Sequence, residues 1–234
     1  MYPVCSAVHS KNCATPYVWS LRRFSEMLTY FKDHYTDIAT VQQIKPGNAV
    51  CGDGHMVIQK GTYTVCAVVD GLGSGQGAYH STITALEAVQ TYHAESVDVI
   101  LEHCNRALTH QRGAVMTVIK IDYKSNILHY ANFGNIGFVL FHPDGSFIQP
   151  MPTRGYLCGR KSQIKSDKFL YSPGSAFMIY TDGVDQLPPK QALIDQSGLY
   201  NVSENVVAAK RFNQKDDATL MVGKFRVPAV SHTG

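Results

Sequence analysis

The chain has 234 residues, 44% of them apolar, with 21 Lys+Arg against 18 Asp+Glu for a formal charge of +3. That is ample apolar chain for a buried core, and it excludes a disordered polymer. Lys and Arg are scattered, with Arg22–Arg23 as the one local cluster, so no nucleic-acid footprint is expected. The six cysteines form no CxxC pair and read as reduced thiols, which suits a cytoplasmic protein. Pro3, His9, Lys11, Asn12 and Pro16 break the first twenty residues, and no apolar run approaches about 18 residues. The expectation is a protein that is neither exported nor membrane-spanning.

Residues 1 to about 17 show no periodicity. Leu21, Phe24, Leu28, Phe31 and Tyr35 then fall at helical spacing, predicting an amphipathic helix in an N-terminal extension over 1–34. Lys45-Pro46-Gly47-Asn48 reads as a turn. Two strands follow, 55–60 and 62–70, the second continuously apolar at Val65–Val69, as a strand covered on both faces would be. A glycine-rich segment, GLGSGQG, leads into helices at roughly 77–93 and 96–110. Residues 114–150 are strand-rich and include the hairpin turn Pro143-Asp144-Gly145. A strand at 175–181 runs into Asp182-Gly183, a helical region is expected around 190–210, and a last strand occupies 218–225. The order suggests an α+β layered domain with antiparallel sheets over 35–227, followed by a tail at 228–234.

Gly73-Ser-Gly75-Gln-Gly-Ala78 formally matches the dinucleotide fingerprint G-x-G-x-x-A between a strand and a helix. The second strand ending in an acid about 20 residues later is missing, and Asp70 would set negative charge beside a pyrophosphate. The carboxylates support a better reading. The acids divide unevenly, thirteen Asp to five Glu, and four Asp precede Gly: Asp53, Asp70, Asp144 and Asp182. A single Asp-Gly is ordinary turn chemistry. Asp70 and Asp182, however, end apolar strands, Asp53 follows Cys51-Gly52, and Asp216-Asp217 opens the last strand. Carboxylates gathered at one sheet edge would raise one another's pKa values, and a divalent cation relieves that repulsion. All-oxygen donors suit Mg²⁺ or Mn²⁺ better than Zn²⁺.

The ordered set Cys-Gly-Asp53, Val-Val-Asp70-Gly71-Leu-Gly-Ser-Gly, Phe-Gly134-Asn135-Ile-Gly, Tyr-Thr-Asp182-Gly183 and Lys-Asp216-Asp217-Ala-Thr219 resembles the metal-dependent serine/threonine phosphatases, type 2C or PPM. It looks most like their small bacterial branch of sporulation and sigma-factor regulators, the RsbX-type stressosome phosphatases. Glu102-His-Cys-Asn-Arg-Ala, Arg112-Gly113-Ala114 and Gly155-Tyr-Leu-Cys-Gly159 support that narrower likeness. The resemblance covers about residues 36–226 and implies a four-layer αββα sandwich, two antiparallel sheets flanked by helices. It also implies two Mn²⁺ or Mg²⁺ ions. Asp70 would bridge both and hold the bridging water, with the Gly71 carbonyl and Asp53 on one metal and Asp182 and Asp216 on the other. Asp217 would then be an outer or capping residue. Two cations about 3.5–4 Å apart can lower the pKa of a shared water and neutralise phosphoester oxygens, so no protein nucleophile is needed.

His55, two residues after Asp53, is a candidate proton donor to the leaving oxygen, although a histidine on an exposed strand face is the plainer reading. Asn135 stands where many members of the family carry an acid for a third metal, so a third metal should be weak or absent. The phosphate-gripping arginine of larger relatives has no clear counterpart, although Arg22 or Arg23 could approach if the N-terminal helix folds back. The resemblance implies phosphorylated STAS-domain proteins of a stressosome as substrates, phosphorylated on serine or threonine, and a role in damping sigma-factor signalling. The alternatives are a phosphatase of a phosphorylated anti-sigma-factor antagonist, or a catalytically silent binding module with the same fold.

Overall fold

The computed structural model describes residues 20–23, 26–194, 212–213 and 215–227. Their strands form two antiparallel sheets. The five-stranded sheet contains β4 (Asp53–Gln59), β5 (Tyr63–Gly71), β6 (Ala114–Asp122), β7 (Ile127–Phe133) and β10 (Ser166–Leu170), in the order β10-β7-β6-β5-β4. The seven-stranded sheet contains β1 (Ser20–Arg23), β2 (Glu26–Lys32), β3 (Thr36–Gln43), β8 (Gly137–Phe141), β9 (Phe147–Ile148), β11 (Ala176–Tyr180) and β12 (Ala218–Phe225), in the order β1-β2-β3-β12-β11-β8-β9. Helices α1 (Gln76–Tyr92) and α2 (Val97–Ala107) pack on the outer face of the five-stranded sheet, and the short α3 (Lys190–Ile194) adds Leu193 to the outer face of the other.

Strand β5 explains why its sequence is continuously apolar. Val65, Ala67 and Val69 face α1 and α2 in one core cluster, while Cys66 and Val68 face the opposite sheet in another. All five are completely buried, so neither side of the pleat tolerates a polar residue. The layer between the sheets is filled by Ile38, Ile119, Phe138, Phe177 and Met221 among others. Helix α1 sits unusually close to this scaffold. A Cβ at Gly71 would collide with the Ala78 backbone, and one at Gly54 with the Thr82 and Leu86 side chains. Glycine at these positions lets the helix rest directly on the ends of β4 and β5.

One expectation is corrected outright. The segment read as an amphipathic helix contains two strands, β1 and β2, and β2 runs antiparallel along β3 in the register Leu28↔Val41 and Tyr30↔Ala39. Leu28 and Tyr30 are buried against Val184, Leu193 and Phe212, while Phe31 packs toward the layer between the sheets. Phe31 on one face joins Leu28 and Tyr30 on the other, so apolar residues fall at both parities and imitate a helical period. Strands β3 and β10 are additions to the expected set. The other helices and strands agree within a few residues, and Asp144 forms the expected turn. The remainder of the helical region expected around 190–210 and the tail at 228–234 lie outside the described residues.

Candidate active site

Adjacent strands bring the carboxylates to one end of the sandwich. Asp53 opens β4 and is the direct cross-strand partner of Asp70 near the end of β5. Asp182 follows β11, and Asp216-Asp217 precede β12, which pairs with β11. The two sheets are tied together here by a chain of hydrogen bonds. The Thr219 N–H donates to Thr181 Oγ1 at 2.9 Å, and the Thr181 hydroxyl donates to Asp53 Oδ2 at 2.8 Å. Gln42 Nε2 donates to the Asp53 carbonyl at 3.1 Å and to Thr219 Oγ1 at 3.2 Å. Asp53 is therefore aimed by the opposite sheet as well as by its own strand.

Crowded burial decides the electrostatics. Burial raises the Asp53 carboxyl well above the usual carboxylate range, the Asp70 charge adds to this, and the hydroxyls of Thr181 and Thr219 oppose it. At Asp70 burial again comes first, followed by the charges of Asp182, Asp216 and Asp217, and the carboxyl is pushed up to about 7. Such a set is stable as an anion cluster only with positive charge among its oxygens. Its donors are all hard oxygens, which fit Mg²⁺ or Mn²⁺. Among the described residues no three His, Cys, Asp or Glu side chains converge on one point. The fit is therefore one of chemistry and charge, with Asp53 and Asp182 each engaging a neighbouring donor.

The remaining candidates separate by what they touch. Both oxygens of Asp217 are occupied, one accepting the Lys45 N–H and the other the Gly52 N–H, each at 2.8 Å. It clamps the 45–52 loop beside the site, and Asp216 Oδ1 accepts the Asp217 N–H at 2.9 Å. Asn135 Nδ2 donates to Asp182 Oδ2 at 2.9 Å, so the amide orients that carboxylate. The Gly71 N–H and the Thr82 hydroxyl both donate to the Gly52 carbonyl, fixing the turn that carries the Gly71 carbonyl. His55 lies edge-on to Phe31, with Nδ1 buried and unpartnered, and burial pushes its imidazole down to about 4. It is neutral at pH 7 and packed between strands, an arrangement different from the exposed strand face considered from the sequence.

Sequence reasoning missed Gln42 and Thr181 as supports of Asp53. Thr181 had a signal, its place in Tyr-Thr-Asp-Gly. Gln42 had none, because it acts across the gap between sheets.

Comparison with known proteins places these features in a family. The family model for stage II sporulation protein E, SpoIIE, matches residues 60–226. Phosphoserine phosphatase RsbX of Bacillus subtilis strain 168 is 31% identical over 198 residues, covering 85% of this chain and 99% of RsbX. The crystal structure of RsbX in complex with magnesium superimposes with a TM-score of 0.79, over 85% of this chain and all of that one (100%). A structure described as the bacterial stressosome, a modular system adapted to control secondary messenger signalling, matches with a TM-score of 0.74 at 24% identity, over 81% of this chain and 99% of that one. The catalytic domain of serine/threonine protein phosphatase PstP in complex with two manganese ions has the same fold, with a TM-score of 0.66 at 14% identity, over 82% of this chain and 99% of that domain. The expected sandwich of two antiparallel sheets and helices is thus the architecture of PPM phosphatases, and the chain belongs to the SpoIIE family of protein phosphatases.

Proposed function

We propose that the chain is a metal-dependent phosphatase that removes phosphate from phosphoserine or phosphothreonine on STAS-domain proteins of a cytoplasmic stressosome, damping the stress signal. The Asp53–Asp70 pair, directly opposed across the β4–β5 ladder with the Asp182 and Asp216 charges acting on Asp70 at the same sheet end, carries this reading. Asp70, Asp53 and the Gly71 carbonyl would hold one cation, and Asp70, Asp182 and Asp216 the other. Two bound Mn²⁺ or Mg²⁺ ions supply neutralisation of phosphoryl oxygens and activation of water.

The chain's own residues do the positioning. Thr181 and Gln42 fix Asp53, Asn135 turns Asp182, and Asp217 anchors the loop leading to Gly52. An amide at Asn135 is a weaker cation ligand than an acid, so a third metal is not part of the proposal. The phosphatase domain spans 35–227 in this reading, and β2 and β1 from the preceding segment extend its larger sheet beyond β3. Retention of mutually repelling carboxylates weighs against a silent binding module.

No helix among the described residues is long and apolar enough to cross a membrane. The test is hydrolysis of a serine-phosphorylated STAS protein with Mn²⁺ and with chelator, by wild type and Asp70→Asn. Turnover that needs both Mn²⁺ and Asp70 is expected. Chelator-resistant turnover, or an unimpaired variant, would contradict the proposal.

A further inference from the structure

We infer that Arg112 grips the phosphoryl oxygens of the incoming substrate. The inference rests on the phosphatase reading above. Arg112 stands just before β6 at the site end of the sheet. The adjoining Gly113 carbonyl accepts the Leu72 N–H at 3.0 Å, and Ala114 is the cross-strand partner of Gly71.

Its side chain lies across the glycine-rich turn. A Cβ at Gly77 would strike Arg112 Nε, Cζ and Cδ, and one at Gly73 would come within 3.1 Å of Nη1. The glycines that imitate a dinucleotide fingerprint therefore have a different use: they leave a bare backbone seat for a guanidinium. Among the described residues the exposed side chain makes one hydrogen bond, Nη1 to the Ser74 carbonyl at 3.3 Å. Among the described residues the one Arg–carboxylate ion pair is Arg226–Asp37, so Arg112 is held in place without a counter-ion. A planar fork of five donors, seated beside a phosphatase site with its charge unspent, matches two oxygens of a phosphate dianion. Arg22 and Arg23, the arginines considered from the sequence, lie on β1, three strands from β12. Arg112 is seated on the turn that follows Asp70 and Gly71.

A group that binds phosphate in ground and transition states alike acts mainly through KM. The experiment measures Mn²⁺-dependent turnover of p-nitrophenyl phosphate and of a phosphorylated STAS protein, inhibition by inorganic phosphate, and calorimetric binding of inorganic phosphate. The variants are Arg112→Ala, Arg112→Lys and, as a charge control, the exposed Lys165→Ala. Arg112→Ala is expected to weaken KM for both substrates, phosphate inhibition and phosphate binding together by about 10- to 100-fold, with kcat little changed. Arg112→Lys should recover part of the loss and Lys165→Ala should change nothing. Unchanged phosphate binding and inhibition in Arg112→Ala would overturn the inference, even if the phosphoprotein KM alone rose. An equal shift in Lys165→Ala would also overturn it. Absence of wild-type turnover would contradict the phosphatase reading itself, and phosphate binding would still decide the role of Arg112.

Discussion

Two Asp-Gly pairs in this chain share a dipeptide and little else. At the β8–β9 hairpin, Asp144 Oδ1 accepts the Ser146 N–H at 2.8 Å and the Ser146 hydroxyl at 2.7 Å, and these bonds hold its carboxyl below the usual range. At the end of β5, Asp70 faces Asp53 across the ladder and feels Asp182, Asp216 and Asp217, and its carboxyl is pushed up to about 7. A carboxylate supplied with local donors is content as a turn, whereas a half-buried one surrounded by other carboxylates waits for a cation. The dipeptide sets the backbone. Its neighbours in space decide whether it is structure or chemistry.

The contrast is broken or sharpened first by paired substitutions. Asp70→Asn should lower phosphatase activity by roughly 10³-fold, since it removes charge at the centre of the cluster; Asp144→Asn should leave activity unchanged. Equal losses in the two variants would erase the distinction. Removing residues 1–34 takes away β2, uncovers the edge of β3 and strips Leu28 and Tyr30 from the core. Two buried side chains of this size make a loss of about 3–6 kcal/mol, visible in denaturant unfolding. Asp217→Ala would orphan the Lys45 and Gly52 N–H groups and is expected to cost about 2–4 kcal/mol.

The pH dependence of the metal-free protein is smaller. Asp53 and Asp70 keep protons in the fold where the unfolded chain, near 3.8, has lost them, so their contribution to stability falls as pH rises, that of Asp70 through about 7. His55 has the opposite slope, its contribution being full above 6.5 and lost as pH falls through about 4. The two partly cancel at acid pH, and above 6.5 the carboxylates act alone. The melting temperature should drift downward there, and Asp70→Asn should flatten the drift. The smallest effect belongs to Asp144→Ala, which should barely move the melting temperature, because its bonds are local and solvent-exposed.

Legibility followed the same division between local and spatial causes. The β12 strand could be read directly from its sequence, as could β5 with Asp70 at its end, because apolar runs closed by Asp-Gly or opened by Asp-Asp are local signals. Strand β3 was not legible. Its Thr36, Thr40, Gln42 and Gln43 are buried polar residues, and Gln42 and Gln43 are satisfied by groups on distant segments, the Asp53 and Asn213 carbonyls. Strand β2 hides its alternation, because Phe31 on one face joins Leu28 and Tyr30 on the other. At the site, the acids were visible and their supports were not: Asn135 was recognised as a departure from the family, yet its bond to Asp182 exists only once β8 and β11 are neighbours.

The central claim is that the Asp53–Asp70 cluster is a cation site. Calorimetric titration of Mn²⁺ into wild type and Asp70→Asn at neutral pH tests it most directly. The account predicts binding by wild type, with a raised melting temperature, and loss of most of that binding and of the thermal gain in Asp70→Asn. Equal Mn²⁺ binding by the two proteins, or none by a folded wild type, would contradict it.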